Sequence, residues 1–218
     1  MAEEEKKQVP EHHDEELEAH ENEQVLSFLR EYGTPIMVGV VAAVVIYLGF
    51  VFYRAYQRNL AERAAGALAA AQNVEQLQKV VNQYGSTPSG SIAMLALGAN
   101  YLHSGQYALA RDTYERFRTT YPEHEMLAAA ALGVAYAYEA EGRLDEAATR
   151  FEAFEKEHPD HYLTPMAVFG RARCMEQSGR YAEAKAVYED FVAANPENSW
   201  VPQAETAMLY LERELRRN

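Results

Sequence analysis

Residues 105–122 read GQYALARDTYERFRTTYP, residues 142–159 read GRLDEAATRFEAFEKEHP, and residues 179–196 read GRYAEAKAVYEDFVAANP. The three stretches start 37 residues apart and agree at five places. These are Gly105/Gly142/Gly179, Ala110/Ala147/Ala184, Tyr114/Phe151/Tyr188, Phe117/Phe154/Phe191 and Pro122/Pro159/Pro196. A fixed period of this length is the signature of stacked supersecondary units. Each position has a physical reading. The glycine ends a first helix in a left-handed turn. The alanine is small where two helices approach closely. The aromatic pair, three residues apart, lines one face of a second helix. The proline stops that helix. Ahead of each glycine lies an apolar helical stretch, at residues 92–102, 127–138 and 165–175. Every unit is therefore a helical hairpin with an apolar face that only a stacked neighbour covers. A weaker copy stands upstream at Leu77, Val80, Tyr84 and Gly85, preceded by a helix at residues 61–72. Downstream, residues 197–217 place Trp200, Val201, Ala204, Met208, Leu211 and Leu215 on one helical face. Glu205, Glu212, Arg213 and Arg216 stand opposite, the pattern of a capping helix with a polar outer side.

Residues 34–53, TPIMVGVVAAVVIYLGFVFY, contain no Asp, Glu, Lys, Arg or His. Twenty helical residues rise roughly 30 Å, the thickness of a bilayer's hydrocarbon core, so they predict a transmembrane helix. Thr34 and Pro35 read as its N-cap and first turn. A secretory signal fits poorly, because the preceding 33 residues are mostly acidic where a short basic region is needed. Within residues 23–33, Val25, Phe28, Leu29 and Tyr32 share a helical face suited to the headgroup layer. Residues 1–22 read as a disordered acidic tail, with His12, His13 and His20 solvated among carboxylates. Gly39 and Ala43 form a small-xxx-small pair, a feature too common in spans to predict helix pairing.

The chain of 218 residues carries a net charge of −13. Residues 1–23 hold ten acidic side chains and two lysines, leaving only −5 on the other 195 residues. Neither part has the basic footprint of a nucleic-acid binder. Cys174 is the only cysteine, which rules out an intramolecular disulfide and a CxxC site. No phosphate loop, nucleophile elbow or zinc-protease motif occurs, so no enzyme activity and no cofactor is expected. His158 and His161 flank Pro159 in an HPDH turn without a third ligand nearby in sequence. With His124, they read as solvated turn residues rather than metal ligands. Glu139/Glu141 and Asp145/Glu146 read as helix-end charges, and Cys174 as a small buried hydrophobe.

Gly98, Tyr101, Gly105, Tyr107, Ala110, Tyr114 and Pro122 resemble the tetratricopeptide repeat in type and spacing. Two features depart from it. The period of 37 is longer than the usual one of about 34, and Phe117, Phe154 and Phe191 replace an alanine. The expected fold is all-α. Behind one transmembrane helix at 34–53, a repeat domain at 54–218 holds about three full hairpins, a weaker first hairpin and a capping helix. Both departures are similar to repeats of bacterial envelope proteins. Residues 21–33 (ENEQVLSFLREYG) and 70–88 (AAQNVEQLQKVVNQYGSTP) further resemble the YfgM-type ancillary subunits of the SecYEG translocon. That resemblance implies an inner-membrane protein with a cytoplasmic N-terminus and a periplasmic repeat domain. It also implies partnership with the translocon, a membrane-anchored periplasmic chaperone and exported client proteins. By the motif's register, the concave face would present His103, Tyr136, Glu139, Phe169, Arg173, Glu176 and Gln177 to a protein partner. Plain core packing is the competing reading of Tyr136 and Phe169. Cation counting points the other way on orientation: Arg30 precedes the span, while Arg54, Arg58 and Arg63 follow it. The positive-inside rule then favours a cytoplasmic repeat domain, a membrane-tethered receptor or assembly scaffold.

Overall fold

The structure, a computed structural model, describes the backbone of residues 12–217 and the side chains of Arg30 and residues 32–217. Among the described residues it is all helix: α1 (His12–Ala70), α2 (Val74–Tyr84), α3 (Pro88–His103), α4 (Tyr107–Thr120), α5 (Leu127–Ala140), α6 (Leu144–Glu157), α7 (Thr164–Gln177), α8 (Tyr181–Ala194) and α9 (Val201–Arg217). The chain divides into two units, Met1–Asn59 and Leu60–Asn218.

In the first unit, α1 contains the only described helix long and apolar enough to cross a membrane. Its apolar side chains face outward all round, with Ile46 and Phe52 more than two-thirds exposed. Such a surface suits lipid rather than a protein core. Two expectations are corrected here. The helix does not begin at Thr34 and Pro35 but at His12, and Pro35 lies inside it. Residues 12–33 hold six glutamates and three leucines, good helix formers that carry the helix up to the span. Pro35 removes one N–H from the ladder without ending it. The segment at 12–22 is accordingly helical, where its charge density predicted no regular structure. Residues 1–11 lie outside the described residues, as do the side chains of residues 12–29, among them His12, His13 and His20.

In the second unit the helix expected over 61–72 is the last stretch of α1, where Ala64 is fully buried and Ala67 and Leu68 pack on the first core. Asn73 then caps α2, its side chain accepting from the Gln76 N–H at 2.9 Å. The Gln76 side chain reaches back to the Gln72 N–H at 2.6 Å, a reciprocal arrangement that satisfies two free donors. From α3 onward, successive helices pack in antiparallel pairs. Gly105, Gly142 and Gly179 have φ of 75°, 79° and 74°, the left-handed region expected of them. The N–H after each glycine bonds back to the carbonyl of Tyr101, Tyr138 or Met175 at 2.8–3.0 Å, which closes a Schellman turn.

Three cores run along the stack. Ala110, Ala147 and Ala184 are fully buried, and Tyr114, Phe117, Phe151, Phe154, Tyr188 and Phe191 fill the spaces between hairpins. The cap differs from its expected form. Leu209 and Tyr210 are more than half exposed on α9, Leu215 is also exposed, and Glu212 turns in to Lys185 at 3.3 Å. Ala172, the counterpart of Leu209 one repeat earlier, is buried in the core shared with α8. No described helix follows α9 to bury Leu209 in the same way.

Candidate protein-binding face

Helices α3, α5 and α7 are the first helices of successive hairpins, and their exposed positions stack along one face. Arg173 on α7 reaches Glu139 on α5 in a bidentate pair, Nη2 donating to Oε2 at 2.7 Å and Nε to Oε1 at 2.5 Å. Gln177, one turn further along α7, adds an Nε2 donation to the same carboxylate at 3.3 Å. The Glu139 side chain is only 10% exposed, so this pairing is what permits a carboxylate there. Donation to the Glu139 carboxylate holds the Arg173 guanidinium charged, its pKa well above the ordinary range. Arg173 also lies 5.9 Å from the centre of the Tyr136 ring. Tyr136 meets the Phe151 ring edge-on at 5.1 Å, and burial pushes its hydroxyl pKa up. Leu102, Tyr136, Glu139, Ala140 and Gln177 surround an open hollow of about 450 Å³.

Four of the seven candidate residues, Tyr136, Glu139, Arg173 and Gln177, therefore come together. His103 stands exposed in the last turn of α3 beside Leu102. Glu176 turns toward α8, where its Oε1 accepts from the Tyr188 hydroxyl at 3.1 Å. Phe169 sits elsewhere. Its ring lies 5.0 Å from Tyr188, 6.1 Å from Phe191 and 5.1 Å from Trp200, all edge-on, so it packs the third core. Of the two readings available for an aromatic at this register, packing describes Phe169. Tyr136 serves both: its ring seals the second core and its edge borders the hollow.

Residues 27–206 match the model of the family described as tetratricopeptide repeat-like domain. The chain belongs to that family. Among solved structures it is similar to a Podosopora anserina protein described as a putative kinesin light chain with nearly identical TPR-like repeats. The identity is 21%, the TM-score is 0.56, and the match covers 74% of this chain and 87% of that one. A single-substitution form of the same protein matches equally well. At that identity the likeness concerns the fold. No curated protein matches the chain.

The tetratricopeptide units also carry a position that residue identity conceals. His124 Nδ1 accepts from the Met126 N–H at 3.0 Å, and His161 Nδ1 accepts from the Leu163 N–H at 3.1 Å. At the next repeat Asn198 Oδ1 accepts from the Trp200 N–H at 3.0 Å. One repeat upstream, Thr87 Oγ1 accepts from the Gly90 N–H at 3.2 Å. Thr87, His124, His161 and Asn198 are each 37 apart and tie the turn that opens the next hairpin. The two histidines are thus half-buried acceptors, not the solvated residues their turn setting predicted. Among the described residues no three His, Cys, Asp or Glu side chains converge as metal ligands do. The other candidate charges pair across or within repeats: Glu141 with Arg111 at 2.8 Å, Asp145 with Arg180 at 2.9 Å, and Glu146 with Arg143 at 2.7 Å.

Proposed function

We propose that the chain is a single-pass inner-membrane scaffold whose tetratricopeptide domain stands in the periplasm beside the SecYEG translocon. There it works with a membrane-anchored periplasmic chaperone on exported client proteins. The observation that carries this reading is the union, in one chain, of a helix of membrane length and a repeat domain with an open polar–apolar hollow on its first-helix face. Stacked hairpins present such faces to extended or helical segments of other proteins. In this hollow Leu102 and Ala140 supply apolar surface, and the Tyr136 ring supplies a rigid aromatic edge. Arg173, held by Glu139 through Nε and Nη2 and placed beside Tyr136, gives the face a fixed polar edge against a partner's backbone. The placement at the translocon rests on the likeness of residues 21–33 and 70–88 to the YfgM type.

The opposite orientation has one specific observation behind it, the three arginines after the span against one before it. It makes the chain a cytoplasm-facing receptor with the same groove. Alkaline phosphatase and green fluorescent protein fused in turn at Asn218 separate the two. The periplasmic reading expects phosphatase activity without fluorescence, and the reverse pattern overturns it. Co-purification with SecYEG from solubilised membranes, detected with antisera, tests the translocon assignment independently of orientation.

A further inference from the structure

A second hollow, of about 610 Å³, opens at the turn edge of the solenoid among α6, α7, α8 and the turn before α9. None of its lining residues belongs to the hollow at Glu139. Its floor carries a half-buried ion pair: Arg171 donates to both oxygens of Glu155, at 3.0 and 2.8 Å. That pair is electrically self-contained. The other two carboxylates on the lining, Asp160 and Asp190, form no ion pair among the described residues. The walls are aromatic. Trp200 is half-buried against Phe169, Phe191 lies beneath, and Tyr162 stands 74% exposed with its ring stacked on His161 at 4.5 Å.

The repeat does not require these groups. One period earlier, Ala153 and Leu163 occupy the places of Asp190 and Trp200, and that junction packs without them. A negative charge and a large aromatic therefore appear together only where this hollow is. The combination has a definite complement. An ammonium or guanidinium group is attracted by unpaired carboxylates and by the face of an indole. The methylene stem of a Lys or Arg side chain covers apolar wall while its head reaches the charge. An acidic segment, by contrast, meets two unpaired carboxylates, while the arginine on the lining, Arg171, is already held by both oxygens of Glu155.

We infer that this hollow docks an extended Lys- or Arg-bearing segment of a partner protein. The cation pairs with Asp160 and Asp190, and its stem lies against Trp200 and Phe191. The surface is separate from the concave face, so one domain engages two segments at once.

Trp200 is the only tryptophan of the chain, so its emission reports directly on the site. The full chain in a nonionic detergent is titrated with the acetylated and amidated peptide Ala-Lys-Leu-Lys-Ala. A second titration uses the same peptide with Glu in place of Lys. Trp200 emission and the anisotropy of a fluorescein-labelled peptide are read in parallel. The lysine peptide should give a saturable change in both, weakened by added salt. Asp160→Asn with Asp190→Asn, isosteric changes at two exposed residues, should weaken binding about tenfold or more. Arg173→Ala, on the other face, should leave it unchanged, which keeps this result distinct from that of the concave-face reading. Absence of a saturable anisotropy rise overturns the inference. So does equal binding of the glutamate peptide, or full binding by the doubly substituted chain.

Discussion

The Phe151 ring lies directly against the backbone of Gly170: a Cβ added to that glycine would stand 2.5 Å from Cζ of the ring. One repeat earlier Tyr114 holds the same relation to Gly133, at 2.6 Å, and it is clamped from the other side by Gly98. In the first two full units the second-helix aromatic thus reaches the backbone of the next unit's first helix. This contact couples neighbouring hairpins, which is how a solenoid acquires cooperativity.

Gly170→Ala should therefore destabilise the domain, although alanine is the better helix former. Overpacking of this kind costs about 1–3 kcal/mol. Thermal melts of Gly170→Ala, Phe151→Leu and the double variant form a cycle, and the double variant should lose less than the sum of the singles. An unchanged Tm for Gly170→Ala would show that the junction yields freely.

His161→Asn should be well tolerated, because Asn198 performs the same bond one repeat later. His161→Ala should cost about 1 kcal/mol, the usual value of a side-chain cap. The comparison is made by urea denaturation of both variants. Equal loss for Asn and Ala would mean that His161 acts through its ring packing on Phe154 and Tyr162 instead.

The contrast between these two cases explains what could be read from the sequence. Gly105, Ala110, Tyr114, Phe117 and Pro122 recur as the same or closely similar residues, because a left-handed turn, a close helix contact and a filled core each admit few side chains. They fixed the hairpins and their period. The turn position at Thr87, His124, His161 and Asn198 needs only an acceptor, which four repeats supply with three chemistries, so it showed no pattern. Glu139 and Arg173 are both legible as outward positions of the first helices, but their pairing joins two repeats and depends on how hairpins stack. Phe169 occupies a register where the neighbouring unit decides between groove and core, and Trp200 supplied the enclosing ring. Pro35 lies inside α1 because the glutamate- and leucine-bearing stretch on its N-terminal side is itself helical and outweighs the proline.

Burial pushes the Cys174 thiol up to about 12, above its ordinary value near 9.0, with the Glu139 carboxylate adding to the effect. The folded chain should thus resist iodoacetamide at pH 8, and denaturant should release rapid alkylation. Between about pH 9 and 12 the unfolded chain loses this proton while the folded chain retains it. Stability consequently falls with rising pH across that window. Fast alkylation under native conditions would show that the third hairpin opens locally.

Removing residues 197–218 strips Trp200, Ala204 and Leu211 from the third core. Phe169, Val187, Tyr188 and Phe191 then lose their cover, and the domain should melt lower or self-associate. Sedimentation beside a thermal melt checks both. A monomer of unchanged Tm would mean that α9 caps nothing.

The central claim is that the first-helix face carrying Tyr136, Glu139, Arg173 and Gln177 is the surface that holds protein partners at the membrane. Its most direct measurement is photo-cross-linking in intact cells, with benzoylphenylalanine placed at Gln177 on α7 and, for comparison, at exposed Thr149 on α6. The account predicts discrete protein adducts at residue 177, reduced by Arg173→Ala, and few at 149. Adducts at 149 with none at 177, or adducts at 177 indifferent to Arg173→Ala, would contradict it.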